Sequence, residues 1–172
     1  GYYAHQVNYA PGFAQGWRLT ARMRVVTGTG WAYVGLNTST DRPRFDVGVR
    51  TIGSDAEVGL FDSTSGTSST TSASYTIAGG ANDWVFLELV YDPDTAQASL
   101  FVNGVERLTG YQGFTTFREN RGVMFGAMGA TANFNLVKFE IPATPIPSEA
   151  PTTSFAAWRA GTPETVVTAD FE

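Results

Sequence analysis

Between Gly16 and Val26 the chain reads GWRLTARMRVV, and its side chains sort into two sets by strict alternation. Trp17, Leu19, Ala21, Met23 and Val25 fall in one set, and Arg18, Thr20, Arg22 and Arg24 in the other. A pleated strand sends successive side chains to opposite faces, so one face of this segment is expected to be core and the other cationic. That pattern fits an antiparallel sheet packed on one face and polar on the other. The polar face of such a sheet can take a carbohydrate or an anion; an ordinary solvated strand is the plain alternative.

The same alternation returns along the chain. In RFDVGVRT, Phe45, Val47 and Val49 oppose Arg44, Asp46, Gly48 and Arg50, which gives a second charged strand face. Further strands are expected at WAYVGLN from Trp31, AEVGLF from Ala56, a brief piece from Tyr75, DWVFLELVY from Asp83 and AQASLFV from Ala96. Two more fall at GVMFGAM from Gly122 and NFNLVKFEI from Asn133. Nineteen glycines and an aromatic content of 13% suit short strands and tight turns better than helices. The expected class is all-β, an antiparallel β-sandwich. With 172 residues, one domain can bury roughly 70% of its unfolded surface and needs no staple.

The connections follow from turn chemistry. Thr27 to Gly30 is expected to turn the first arginine strand back as a hairpin onto Trp31 to Asn37. NTSTDRP, from Asn37 to Pro43, reads as a polar loop, and the Ser/Thr/Gly run from Asp62 to Ser74 as a long surface loop, since it has little to give a core. Asp92 to Thr95 is a turn, and Asn103-Gly104 is the strongest short-range hairpin signal in the chain. Pro142, Pro145, Pro147 and Pro151 lie in linker composition. The expected division is a β-sandwich over 1–141, a Pro-rich linker over 142–153, and a tail over 154–172. The tail holds a short helical stretch from Ser154 to Ala160 and strand-like sequence from Glu164 to Phe171. It either packs back on the sandwich or begins a neighbouring module.

Several chemistries are disfavoured. A net charge of −5, with one lysine among eleven basic residues, argues against a nucleic-acid partner. Without cysteine there is no disulfide, thiol catalysis or thiolate metal site. A Ser-His-Asp arrangement would depend on His5, the one histidine, and no serine sits in a nucleophile elbow. The acids Asp46, Glu57 and Glu88 are scattered, whereas a glycosidase needs a facing pair about 5 to 9.5 Å apart. No cofactor is expected. Asp92 to Thr95 and Asp55 to Glu57 supply hard oxygen ligands of the kind a structural calcium takes, although DPDT is most simply a turn. No apolar run of membrane-spanning length is present, so membrane insertion is not expected.

Sugar binding asks for aromatic faces against C–H surfaces and for planar donors and carboxylates that fork onto hydroxyls. Trp31 and Tyr33 share one face of their strand, and Arg42, Arg44, Asp46 and Arg50 lie on or beside the next. The competing reading makes the two aromatics core and the arginines a solvated rim.

The quoted GWRLTARMRVVTG, NTSTDRPR, FLELVYDPDTAQASLFVNGV and NFNLVKFEI, spanning about Tyr9 to Ile141, together resemble the lectin-like jelly-roll domain of bacterial sialidases, within the concanavalin A-like superfamily. Phe125 stands where that family carries a tryptophan. The resemblance implies a non-catalytic carbohydrate-binding module of a secreted or cell-surface bacterial protein. Its partners would be a glycan and the other domains of the same polypeptide, and acidic sugars are one class of ligand. Arg42 or Arg44 would grip a sugar carboxylate, Asp46 and Glu57 would accept hydroxyls, and Trp31 with Tyr33 would stack. The alternative is a structural or interaction sandwich with no sugar ligand; a glycan-active enzyme is the third reading.

Overall fold

The computed structural model describes residues 2–5, 15–37, 43–65, 68–115, 122–142 and 163–170. Among them every regular element is a strand: β1 (Tyr2–His5), β2 (Trp17–Asn37), β3 (Arg44–Ile52), β4 (Asp55–Ser65), β5 (Ser68–Ile77), β6 (Val85–Asp92), β7 (Gln97–Val102), β8 (Val105–Tyr111), β9 (Gly122–Pro142) and β10 (Pro163–Asp170). All pairings are antiparallel.

Two strands of 21 residues organise the rest. β2 and β9 pair along nearly their whole lengths, from Arg18 opposite Glu140 to Asn37 opposite Gly122. The first half of β2 continues sideways into β6, β7 and β8, and the second half of β9 carries β10. The second half of β2 continues into β3, β4 and β5, and the first half of β9 carries β1. One layer therefore runs β8-β7-β6-β2-β9-β10 and the other β5-β4-β3-β2-β9-β1. The free margins also meet, where the Arg107 guanidinium of β8 lies 4.6 Å from the Tyr75 ring centroid of β5.

The hairpin expected at Thr27 to Gly30 does not form. β2 passes straight through these residues and changes layer there, with register shifts between Val25 and Thr27 and between Gly28 and Trp31. Bulges and glycines let a strand turn such a corner without losing its partner. A Cβ on Gly30 would stand 1.9 Å from the Met128 carbonyl oxygen, so only glycine lets the two backbones approach this closely. The two segments read as separate strands around Gly122 to Met128 and Asn133 to Ile141 are likewise one strand, because β9 follows β2 around the same corner.

The Ser/Thr/Gly run is also not a loop. Most of it belongs to β4 and β5, which pair as a hairpin. An edge strand needs a hydrogen-bonding neighbour on one side only and few apolar side chains, and β5 supplies those with Ala73, Tyr75 and Ile77 against the core. The remaining hairpins match their turn chemistry. Asn103 and Gly104 hold φ of 51° and 80°, the left-handed pair a two-residue connection requires, between β7 and β8. The Asn103 side chain also accepts the Phe86 N–H at 3.0 Å. Asp92 accepts the Asp94 N–H at 2.9 Å within the turn joining β6 to β7.

The core lies between the layers. Trp17, Leu19, Ala21 and Met23 of one layer meet Phe45, Val47, Val49, Val58 and Leu60 of the other in a single cluster. Trp17 stacks on Tyr91 at 5.2 Å and takes the edge of Phe45 at 5.1 Å. Burial of each large side chain here contributes about 1.5–3 kcal/mol. The alternation read in Trp17 to Val26 and in Arg44 to Thr51 thus puts its apolar members inside. The fold is an all-β antiparallel sandwich whose two layers share β2 and β9. The stretch 154–160, expected to be helical, falls outside the described residues, whereas 163–170 forms the β10 strand beside β9.

Candidate functional site

The outer face of the β5-β4-β3-β2-β9-β1 layer collects the alternate residues that do not enter the core. Along β2 these are Trp31, Tyr33, Gly35 and Asn37; along β3, Arg44, Asp46, Gly48 and Arg50; along β4, Glu57, Gly59 and Phe61. Trp31, Phe61 and Phe114 form a second small apolar cluster here, with half-buried Tyr33 against it.

Glycine shapes the floor. A Cβ on Gly48 would come 2.8 Å from Phe61 and 3.1 Å from Trp31, and one on Gly59 would come 2.8 Å from Trp31. The Trp31 indole therefore lies down over β3 and β4, where bare backbone leaves room, and the edge of Phe61 meets it at 5.1 Å. The indole is only 5% exposed. Above it sits Arg50, whose guanidinium is 4.6 Å from the ring centroid. Arg50 Nε and Nη2 both donate to Glu57 Oε2 at 2.6 Å. Arg50 remains partly open to solvent and Glu57 is largely covered. The result is a charged donor–acceptor pair mounted on an aromatic, with Tyr33 on the adjoining strand.

The other pair on this face is closed. Arg44 and Asp46 side chains are 2% and 0% exposed. Arg44 Nε donates to Asp46 Oδ1 at 2.8 Å, and Nη2 also contacts Oδ2. The Asp46 carboxylate fills the space over Gly35, where a Cβ would lie 1.9 Å from Oδ1. Phe114 covers Arg44 at 5.6 Å and exchanges backbone hydrogen bonds with it at 2.8 and 2.9 Å. The Tyr111 hydroxyl donates to the Phe61 carbonyl at 2.6 Å and accepts the Asp46 N–H at 3.1 Å. Burial, reinforced by the Asp46 charge, pushes the Tyr111 phenol far above its ordinary value.

Trp31, Tyr33, Arg44, Asp46 and Glu57 are thus brought to one sheet face, but of these and Arg50 only half-buried Tyr33 and Arg50 meet solvent to any extent, with Glu57 largely covered beneath Arg50. Arg42 lies outside the described residues. Arg50 is more central than sequence spacing alone conveyed; its phase with Arg44 and Asp46 was the available signal. Phe61 shares the phase of Glu57 and Gly59 and was likewise legible, whereas Tyr111 and Phe114 arrive from a distant segment without a local signal.

Glu88 does not join Asp46 and Glu57. It stands on the outer face of the other layer, where Arg18 binds it at 3.3 Å and Glu140 at 2.7 Å, with Lys138 adding a 2.7 Å contact to Glu140. The cationic face expected on the first strand is therefore partly neutralised. The two acidic segments considered for calcium are engaged in turns: Asp92 as described, and Asp55 Oδ1 accepting the Gly79 N–H at 2.9 Å and the Ser54 hydroxyl at 3.2 Å. Among the described residues no cluster of three metal-ligating side chains occurs. None of the described residues forms a helix long and apolar enough to cross a membrane.

Comparison with family models and with curated proteins gives no match. Similar solved structures include a Crh5 transglycosylase in complex with NAG, at 13% identity and TM-score 0.47, covering 67% of this chain and 49% of that one. The carbohydrate-binding module CBM66 from Bacillus subtilis is 13% identical with TM-score 0.47, over 70% of this chain and 71% of that one. Caenorhabditis elegans galectin LEC-6 is 18% identical with TM-score 0.42, over 78% and 89% respectively. The chain spans about half the length of the transglycosylase. At these identities and scores the likeness says nothing of a ligand.

Proposed function

We propose that this chain is a non-catalytic, lectin-like carbohydrate-binding module of a secreted bacterial multidomain protein, and that the outer face of the β5-β4-β3-β2-β9-β1 layer holds the sugar. The observation that carries the reading is the Arg50–Glu57 pair, held at 2.6 Å on the Trp31 indole and partly open to solvent. Sugar hydroxyls pair best with a planar donor next to a carboxylate acceptor, beside an aromatic that excludes water. Arg50 supplies the donor fork, Glu57 the acceptor and Tyr33 the aromatic nearer solvent. Trp31 is the bed on which Arg50 lies. Arg44 and Asp46, buried farther along the same strand, fix the β3 backbone that presents Arg50.

A binding role fits the carboxylates better than hydrolysis does. Asp46 and Glu57 are each tied to their own arginine, and Glu88 is on the opposite layer, so the three acids make no facing pair across a scissile bond. Few polar groups in a wet site bind weakly, roughly in the micromolar to millimolar range, which makes multivalent presentation necessary for detection.

The test is a glycan array probed with the multivalent chain, with and without calcium, alongside Arg50→Ala, Glu57→Gln, Tyr33→Ala and Arg42→Ala variants. Selective binding that drops at least tenfold with Arg50→Ala is the expected outcome. Silence across neutral and acidic glycans would leave a structural or interaction sandwich as the better reading, and turnover of any polysaccharide would make the chain an enzyme.

A further inference from the structure

The three arginines on the outer face of the first half of β2 are not treated alike. Arg18 is neutralised by Glu88 and Glu140. Arg22 and Arg24 have no carboxylate partner among the described residues; both instead lie against one indole, 5.2 and 4.8 Å from the Trp84 ring centroid. Arg22 is exposed and Arg24 half-buried, and the Arg24 Nε is fully buried with no hydrogen-bond acceptor. Across the strand, Asn135 sits in the β9 bulge between the partners of Arg22 and Met23, and its Oδ1 is buried and equally unpartnered.

Two like charges two residues apart on one strand face are about 7 Å apart and repel, so this arrangement costs stability unless something offsets it. Trp84 offsets part of it by offering both cations its ring face. It also holds the two guanidinium planes in place, so that little side-chain freedom is left to lose on binding. In a chain of net charge −5, a pair of pre-positioned, uncompensated forks is a local device, and its chemistry matches a planar carboxylate. A polyphosphate backbone would meet the surrounding negative field, whereas single carboxylates spaced along a sugar polymer need only the pair.

We propose that Arg22, Arg24 and Trp84 form a second binding site, on the layer opposite the Arg50–Glu57 face, that takes the carboxylate of an acidic sugar such as a uronate. The guanidiniums fork onto the carboxylate and the indole edge excludes water from it. The site is independent of the face described above and stands if that one fails. The acidic-sugar role expected of Arg44 falls instead to these residues, because Arg44 is enclosed with Asp46 and only 2% exposed.

The experiment is affinity electrophoresis of the chain through gels containing polygalacturonate, its fully methyl-esterified form, or neutral galactan. Retardation by polygalacturonate alone is expected, weakening as salt rises. It should fall at least tenfold in Arg22→Ala and Arg24→Ala, and also in Arg22→Lys and Arg24→Lys, which keep the charge and lose the fork. Arg107→Ala, which removes a cation resting on Tyr75 at the sheet margin, should leave it unchanged. Equal retardation by the ester, full retention in the lysine variants, or no retardation by the acid overturns the proposal. Thermal unfolding of each variant separates lost binding from lost fold.

Discussion

The outer faces of the two layers solve the same problem differently. Each carries alternating arginines on strands whose other side is core, and each must keep those charges compatible with folding. On the β3 side the solution is burial: Arg44 and Asp46 are enclosed together, and Arg50 is tied to Glu57 over Trp31. On the β2 side it is division, with Arg18 absorbed by two glutamates while Arg22 and Arg24 rest on Trp84 without a counter-charge among the described residues. A charge enclosed with its partner serves the fold and is costly to disturb. A charge resting on an aromatic costs the fold little when removed and remains available to a ligand.

The sharpest way to break the comparison is to remove one member of the enclosed pair. Asp46→Ala strands a buried guanidinium and should cost about 3–5 kcal/mol in urea unfolding. Joint replacement by Arg44→Met and Asp46→Leu should restore most of that, since well-packed apolar residues replace a buried ion pair at little net cost. Tyr111→Phe, which leaves the Phe61 carbonyl and the Asp46 N–H without the hydroxyl, should cost about 1–3 kcal/mol.

The same tyrosine predicts a pH dependence. Its phenol is raised in the folded state, so the unfolded chain loses this proton first, from the ordinary value of 10.0 upward. The stabilisation is complete below that pH and declines as pH rises through it. Tyr111→Phe should make the alkaline decline of the melting temperature shallower.

Effects are smaller where charge meets solvent. Arg50→Ala removes a partly exposed pair and should lower stability by at most about 1 kcal/mol while weakening saccharide binding at that face at least tenfold. Arg22→Ala should change unfolding by no more than about 0.5 kcal/mol in either direction. A loss of several kcal/mol in either variant would show that these arginines serve the fold as Arg44 does.

Local pattern made much of this legible. The period of two placed Trp17, Leu19, Ala21 and Met23 inside and Arg18, Arg22 and Arg24 outside, and it grouped Arg44, Asp46 and Arg50 on one face before any partner was known. Asn103-Gly104 declared its hairpin because its φ values are a local matter. The expected hairpin at Thr27 to Gly30 was wrong because glycines in a turn and glycines in a bent, bulged strand look alike in sequence; pairing with β9 across a separation of more than a hundred residues decides between them. The Ser/Thr run misled for a related reason, since polarity marks an edge strand as well as a loop.

What the sequence determined by itself is therefore the all-β class, the inward and outward sides of each strand, and the set of residues from which a site is built. Only the tertiary structure decided which of those residues remain open to a ligand. Alternation fixes the side of a sheet but not what lies across from it. The burial of Arg44 depends on Asp46 and on Phe114 arriving from elsewhere, and the openness of Arg22 depends on meeting Trp84 instead of a carboxylate. Charge availability is a property of the neighbours a residue acquires, and long-range strand pairing sets those neighbours.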